Sequence, residues 1–234
     1  TDPFIATDMF YECYSLVKLD LSTYDTSYVT SMEETFSHCQ SLKDINLANI
    51  DTSKVTNMKY MFVDIPVTSL NLIDFDCSRV LTMEGMFCYC TALTSIKFSN
   101  YGTPSLRDMT KMFVHCHALP SIDLITFDTS KVETMEGMFS FCQSLTSLNL
   151  RSFNTGNVEN MKYMFSDCYK LSHLNLSNFN TSKVTTMEKM FFYCENLTSL
   201  DILKFNTKNV VDMKGMFFNC SNLNSKITSH FKWE

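Results

Sequence analysis

The chain has 234 residues, 45% of them hydrophobic, enough to bury a core and form one or two ordinary domains. A formal net charge of −6 and the lack of any Lys/Arg cluster exclude the electrostatic footprint of a nucleic-acid binder. No run of 18 apolar residues is present, and the opening TDPFIATDMF lacks the basic end and apolar stretch of a secretory signal, so no membrane insertion by this stretch is expected.

Self-similarity dominates the sequence. One phenylalanine recurs as Phe10, Phe36, Phe62, Phe87, Phe113, Phe139, Phe165, Phe191 and Phe217, nine copies spaced by 26 residues except for a 25-residue step after Phe62. All sixteen methionines stand four or one positions before these rings. Seven before most of them is an apolar residue, Val29, Val55, Val80, Leu106, Val132, Val158, Val184 or Val210. The residue before the first Met reads Ser31, Asn57, Thr82, Asp108 and then Thr134, Asn160, Thr186, Asp212, which points to a duplicated four-coil block of about 104 residues. The pattern is already running at the first residue and still running at the last, which reads as one solenoid domain over 1–234, about nine coils, excised from a longer array.

Each copy resolves into the same elements in chain order. Leu145, Leu148 and Leu150, like Leu171, Leu174, Leu176 and Leu197, Leu200, Ile202, end in strict alternation, the pattern of a short strand with one buried face. An aromatic or Ile follows, then a polar triplet such as DTS or NTG, whose side chains bond their own backbone in turns. The next stretch, V..M..MF..C, spaces apolar residues by three and four and predicts a short inward-facing helical segment. One parallel strand and one helical segment per coil make the expected fold class α/β, a right-handed leucine-rich-repeat solenoid. No coil buries its apolar side alone, so the coils must stack, about 4.8 Å apart.

The cysteine ladder, Cys13, Cys39, Cys90, Cys116, Cys142, Cys168, Cys194 and Cys220, holds Ile65 in its third slot, so the position needs a buried apolar group rather than a thiolate. Stacked, parallel side chains fit disulfide geometry poorly, and reduced thiols are expected. Cys77 and Cys88 lie off the ladder and are predicted to be the exposed thiols. His115 and His117 flank Cys116, but with no CxxC pair and an inward-facing ladder no metal site is expected. Catalytic signatures such as G-x-S-x-G, H-E-x-x-H and a glycine-rich phosphate loop are missing, so neither an enzyme nor a cofactor is indicated. Charges three before successive rings alternate in sign, as in Glu33, Lys59, Glu84 and Glu136, Lys162, Glu188, Lys214, which predicts cross-coil pairs.

The outward positions of the strands carry the candidate binding residues: Asp20, Asn46, Asn71, Lys97, Asp123, Asn149, Asn175 and Asp201. Small polar groups in such a stripe suit a self-satisfying ladder as well as a wet interface. Exposed apolar residues Ile73, Ile125 and Leu203, two positions on, favour the interface.

The unit L..L.LS.F.TS.V..M..MF..C.SL resembles the 26-residue repeat of the BspA-like leucine-rich surface proteins, the mycoplasma-type lipoprotein repeat, over essentially the whole chain. Departures are Thr35 in a Met slot, Ile65 in the Cys slot, and Gly102-Thr103-Pro104 in place of the usual triplet, where Pro104 is expected to disturb the turn. The resemblance implies a cell-surface or secreted array that adheres to a protein ligand on a host or neighbouring cell or in its matrix. A structural spacer and an intracellular protein-interaction scaffold are the alternatives. Open ends carrying Phe4, Ile5 or Trp233 would favour end-to-end self-association.

Overall fold

The computed structural model describes residues 4–231, with residues 4 and 5 described as backbone only. Trp233 and the side chains of Phe4 and Ile5 therefore lie outside the described residues. Among those described are eight short strands, β1 (Phe4–Ile5), β2 (Lys18–Asp20), β3 (Val29–Ser31), β4 (Asp44–Asn46), β5 (Ser69–Leu72), β6 (Ser95–Phe98), β7 (His173–Asn175) and β8 (Ser199–Asp201), and one helix, α1 (Ser225–His230).

The leucine strands pair in parallel and in register one coil apart, β2 with β4, β5 with β6, and β7 with β8. Their alternation is as the sequence predicts: Leu70 and Leu72 are buried while Ser69 and Asn71 are exposed. The sheet is nevertheless discontinuous. Coils five and six lack assigned strands and are joined where the Thr146 N–H donates to the Pro120 carbonyl at 3.0 Å. Among the described residues, no backbone hydrogen bond joins the leucine segments of coils two and three, four and five, or six and seven.

Continuity comes instead from a second ladder. Ser31, Asn57, Thr82, Asp108, Thr134, Asn160, Thr186 and Asp212 bridge coil to coil in one unbroken parallel series, extended at its start by β1 on β3. Each side chain in this series also accepts the N–H two residues on, as Asn160 Oδ1 does from Lys162 at 2.9 Å. The block period visible in the sequence therefore lies along the spine of the stack.

The predicted helical segments are corrected by the structure. Residues two before and two after each ring have positive φ, for example Glu34 (51°) and His38 (58°) around Phe36, and Tyr60 (54°) and Asp64 (54°) around Phe62. No helix continues through such residues, and their usual cost is about 1–2 kcal/mol each for a residue with a β-carbon. What forms is a run of tight turns whose donors alternate. The Thr35 and Cys39 N–H groups donate back to Met32 and Phe36, with Glu34 and His38 in the third place of each turn, whereas those of Phe36 and His38 donate to Met61 and Val63 of the next coil, at 3.0 and 2.8 Å. A positive φ at the third residue of an i to i+3 bond is the type II turn pattern. Half of the donors thus find partners in the neighbouring coil, which an isolated helix cannot offer.

The apolar columns close into one contiguous core. The nine rings stack face to face, with centroids 5.3–5.8 Å apart and planes within 17°. At the triplet turns, Asn154 Oδ1 accepts the Gly156 N–H at 3.1 Å, as expected of an NTG turn. The buried Thr155 hydroxyl donates to the Asn180 carbonyl at 3.0 Å and accepts the Asn180 N–H at 2.8 Å. Pro104 does not break this series: Gly102 turns at φ 72° and Thr103 still bonds both backbone groups of Asp128.

Cys77 and Cys88, expected to be exposed, are buried. Cys77 takes a slot otherwise held by threonines, five of which are buried, and Cys88 is 8% exposed. The ladder thiols are more than filler: Cys116, Cys142 and Cys168 donate to the carbonyls of Phe87, Phe113 and Phe139 in the preceding coil, each at 3.2 Å.

Candidate functional site

The sheet face presents the predicted stripe as a row. Asp20, Asn71, Lys97, Asp123, Asn149, Asn175 and Asp201 are exposed and Asn46 is half-buried, because the intervening Leu and Ile residues turn into the core. The bonds of these side chains run mostly along the chain. Asp20, Asn46, Asp123, Asn149 and Asn175 accept the N–H two residues on, at 2.9–3.3 Å, and so form the turn after the leucine segment in coils one, two, five, six and seven. One lateral rung is present, Asn46 Nδ2 donating to Asp20 Oδ1 at 3.0 Å. The hydroxyl and N–H of Ser22 hold the Asp20 carboxyl below its ordinary value.

Two hollows open on this face, both where strand pairing lapses. One, about 470 Å³, lies between coils six and seven, with Leu148 and Leu174 beneath and Asn149, Arg151, His173, Asn175 and Asp201 around it. The other, about 320 Å³ between coils four and five, brings together Ile73, Lys97, Phe98, Asp123 and Ile125. Ile73 and Ile125 are exposed and line the same hollow, whereas Leu203 is exposed but lines neither hollow. Arg151 and His173 were not among the candidates. Their signal was positional, two residues after Asn149 and two before Asn175, and it was masked because each breaks the consensus of its column.

Such a surface offers amide and carboxylate acceptors, a guanidinium and an imidazole over an apolar floor. These groups suit noncovalent recognition. Among the described residues no group of three or more His, Cys, Asp or Glu side chains converges as metal donors. His115 and His117 hydrogen-bond each other at 3.1 Å, while the Cys116 thiol points into the core. Burial lowers the His115 imidazole's affinity for a proton.

The family model described as "Mycoplasma protein of unknown function, DUF285" matches residues 6–121, 64–173 and 146–234. The chain belongs to this family. This DUF285, BspA-like chain also shows likeness to solved leucine-rich-repeat structures. One is a T. pallidum leucine-rich repeat protein, 18% identical over 98% of this chain and 76% of that one, with a TM-score of 0.35. Another is a leucine rich cell surface protein from Faecalibacterium prausnitzii, 16% identical over 93% of this chain and 74% of that one, with a TM-score of 0.33. A third is an internalin from Listeria monocytogenes, 15% identical over 90% of this chain and 53% of that one, with a TM-score of 0.31. No curated protein matches the DUF285 chain. No helix among its described residues is long and apolar enough to cross a membrane.

Proposed function

We propose that this chain is a non-enzymatic protein-binding or adhesion module of a cell-surface or secreted protein, one right-handed solenoid domain that contacts its protein ligand through the exposed sheet face. The observation that carries this reading is the hollow of about 470 Å³ beside Asn149 and Asn175, where polar side chains of three successive coils surround three leucines. Solenoids bind through extended faces of this kind, and a partner side chain seated over apolar floor with polar rim has the make-up of a protein interface. The test is a pull-down from solubilised host-cell surface and matrix proteins with the parent chain and with Asn149→Trp/Asn175→Trp. Loss of a captured partner from a variant that keeps its circular dichroism supports the reading. Equal capture by parent and variant, or none by either, overturns it.

A spacer that projects another domain is the second reading. It is favoured by the five stripe residues whose oxygens already accept the backbone N–H two residues on. A spacer loses nothing in the same experiment.

A further inference from the structure

The two four-coil blocks differ on the surface away from the sheet. In the first block a groove of about 420 Å³ runs along the stack beside the Phe column. Its floor is the residue after each ring, Ser37, Val63, Cys88 and Val114 in coils two to five. Tyr60 forms one wall, lying across Gly85 in the space a β-carbon would need, and Tyr89 forms the other.

The second block fills this space with its own side chains. One block on, Cys88 corresponds to Phe192 and Val114 to Phe218, while Tyr60 and Tyr89 correspond to Tyr163 and Tyr193. The Phe192 ring stacks on Phe218 at 5.2 Å, meets Tyr193 edge-on at 4.5 Å, and has Lys189 Nζ 5.3 Å from its centre. The same scaffold thus holds a phenyl ring in one block and leaves its place vacant in the other. A hollow of about 150 Å³ suffices for a benzene-sized group, so the groove has room for a ring and its neighbours.

Charge marks the same difference. The groove's ends carry Glu34 in coil two and Lys111 in coil five, and among the described residues neither makes an ion pair. Their counterparts in the filled block are Gly137 and Gly215. Three coil steps place the two charges about 14 Å apart, and an extended peptide covers that span with about four residue steps.

We propose that the first-block groove binds an extended peptide segment of a protein partner, seating one aromatic ring over Cys88, with a basic residue toward Glu34 and an acidic residue toward Lys111. The groove shares no lining residue with the sheet-face hollows, so the two sites succeed or fail independently.

The probe is N-acetyl-Lys-Ala-Phe-Ala-Asp-amide, titrated into the full chain while the Val63 and Val114 methyl resonances are followed by NMR. A dissociation constant of about 1 mM is expected, with binding at least tenfold weaker for the counterpart carrying Ala in place of Phe. Cys88→Phe, which installs the ring found at Phe192, is expected to abolish the shifts. Lys111→Gln, at an exposed side chain that leaves the core untouched, is expected to weaken binding about threefold or more and serves if the first variant fails to fold. Absence of shifts in the parent, equal binding of the Ala peptide, or unchanged affinity in either folded variant overturns the proposal.

Discussion

Each ladder cysteine has two roles at once. Cys142 is fully buried and donates to the Phe113 carbonyl, which also accepts the N–H of Cys116, so the thiol uses an acceptor site left open by the turn. Ile65 shows that filling the space matters more than the weak S–H bond. Cys142→Ala therefore leaves a small void and one idle acceptor, and denaturant melts are expected to show a loss of about 1–2 kcal/mol. Accessibility is testable with a bulky thiol reagent at neutral pH. Cys13 is the half-exposed thiol and reacts first, while Cys77 stays silent until the chain unfolds. Rapid native labelling of Cys77 would contradict the burial described above.

Between coils, side chains replace much of the work that backbone ladders do in ordinary sheets. Thr155 serves both backbone groups of Asn180 from a buried position. Thr155→Val keeps the shape but orphans that N–H and carbonyl, with an expected loss of about 1–3 kcal/mol by urea denaturation. The exposed ion pairs carry less. Lys59 Nζ lies 2.7 Å from Glu84 and Lys162 Nζ 2.5 Å from Glu188, the alternation predicted from sequence, but the Lys side chains remain about one-third exposed. Not every adjacent opposite pair closes. Asn57 and Asn160 donate instead to Glu33 and Glu136, one in each block. Burial works against the Glu84 carboxylate, yet the Lys59 and Tyr60 bonds hold its proton affinity below the ordinary value. Its contribution is accordingly present above the unfolded carboxylate value of about 4.3 and fades as the pH falls. A double-mutant cycle on Lys59 and Glu84 is expected to give a coupling below about 1 kcal/mol.

At the scale of the whole molecule, the stacked thiols make stability depend on alkaline pH. Burial pushes Cys77 and Cys142 up to about 12, and Cys39, Cys88 and Cys220 up to about 11. The native state therefore keeps protons that the unfolded chain releases near its ordinary value of about 8.5. Stability from this source is complete below that value and is lost as the pH rises toward 11–12. Each thiol contributes a slope of up to about 1.4 kcal/mol per pH unit in that window. Urea midpoints measured from pH 7 to 10.5 should be flat at first and then fall steeply. A flat profile throughout would show that the thiols are not buried in the native state.

The sequence by itself determined the period, the inward residues and the outward ones. A 26-residue repeat with a single 25-residue step admits one way to bury Leu, Met, Phe and Cys together, so the columns and the polar triplet turns follow from pattern alone. Tertiary structure decided how the backbone between those columns is satisfied. Spacing of three and four does not distinguish a helix from successive turns, because both place apolar residues on one side. Here the neighbouring coil supplies carbonyls to alternate N–H groups, and that turns Glu34, His38 and Tyr60 to positive φ. Likewise, the stripe from Asp20 to Asp201 was legible as a row, but the hollow beside Asn149 and Asn175 was not. A gap in strand pairing depends on how two coils meet, and no single coil's sequence records that contact.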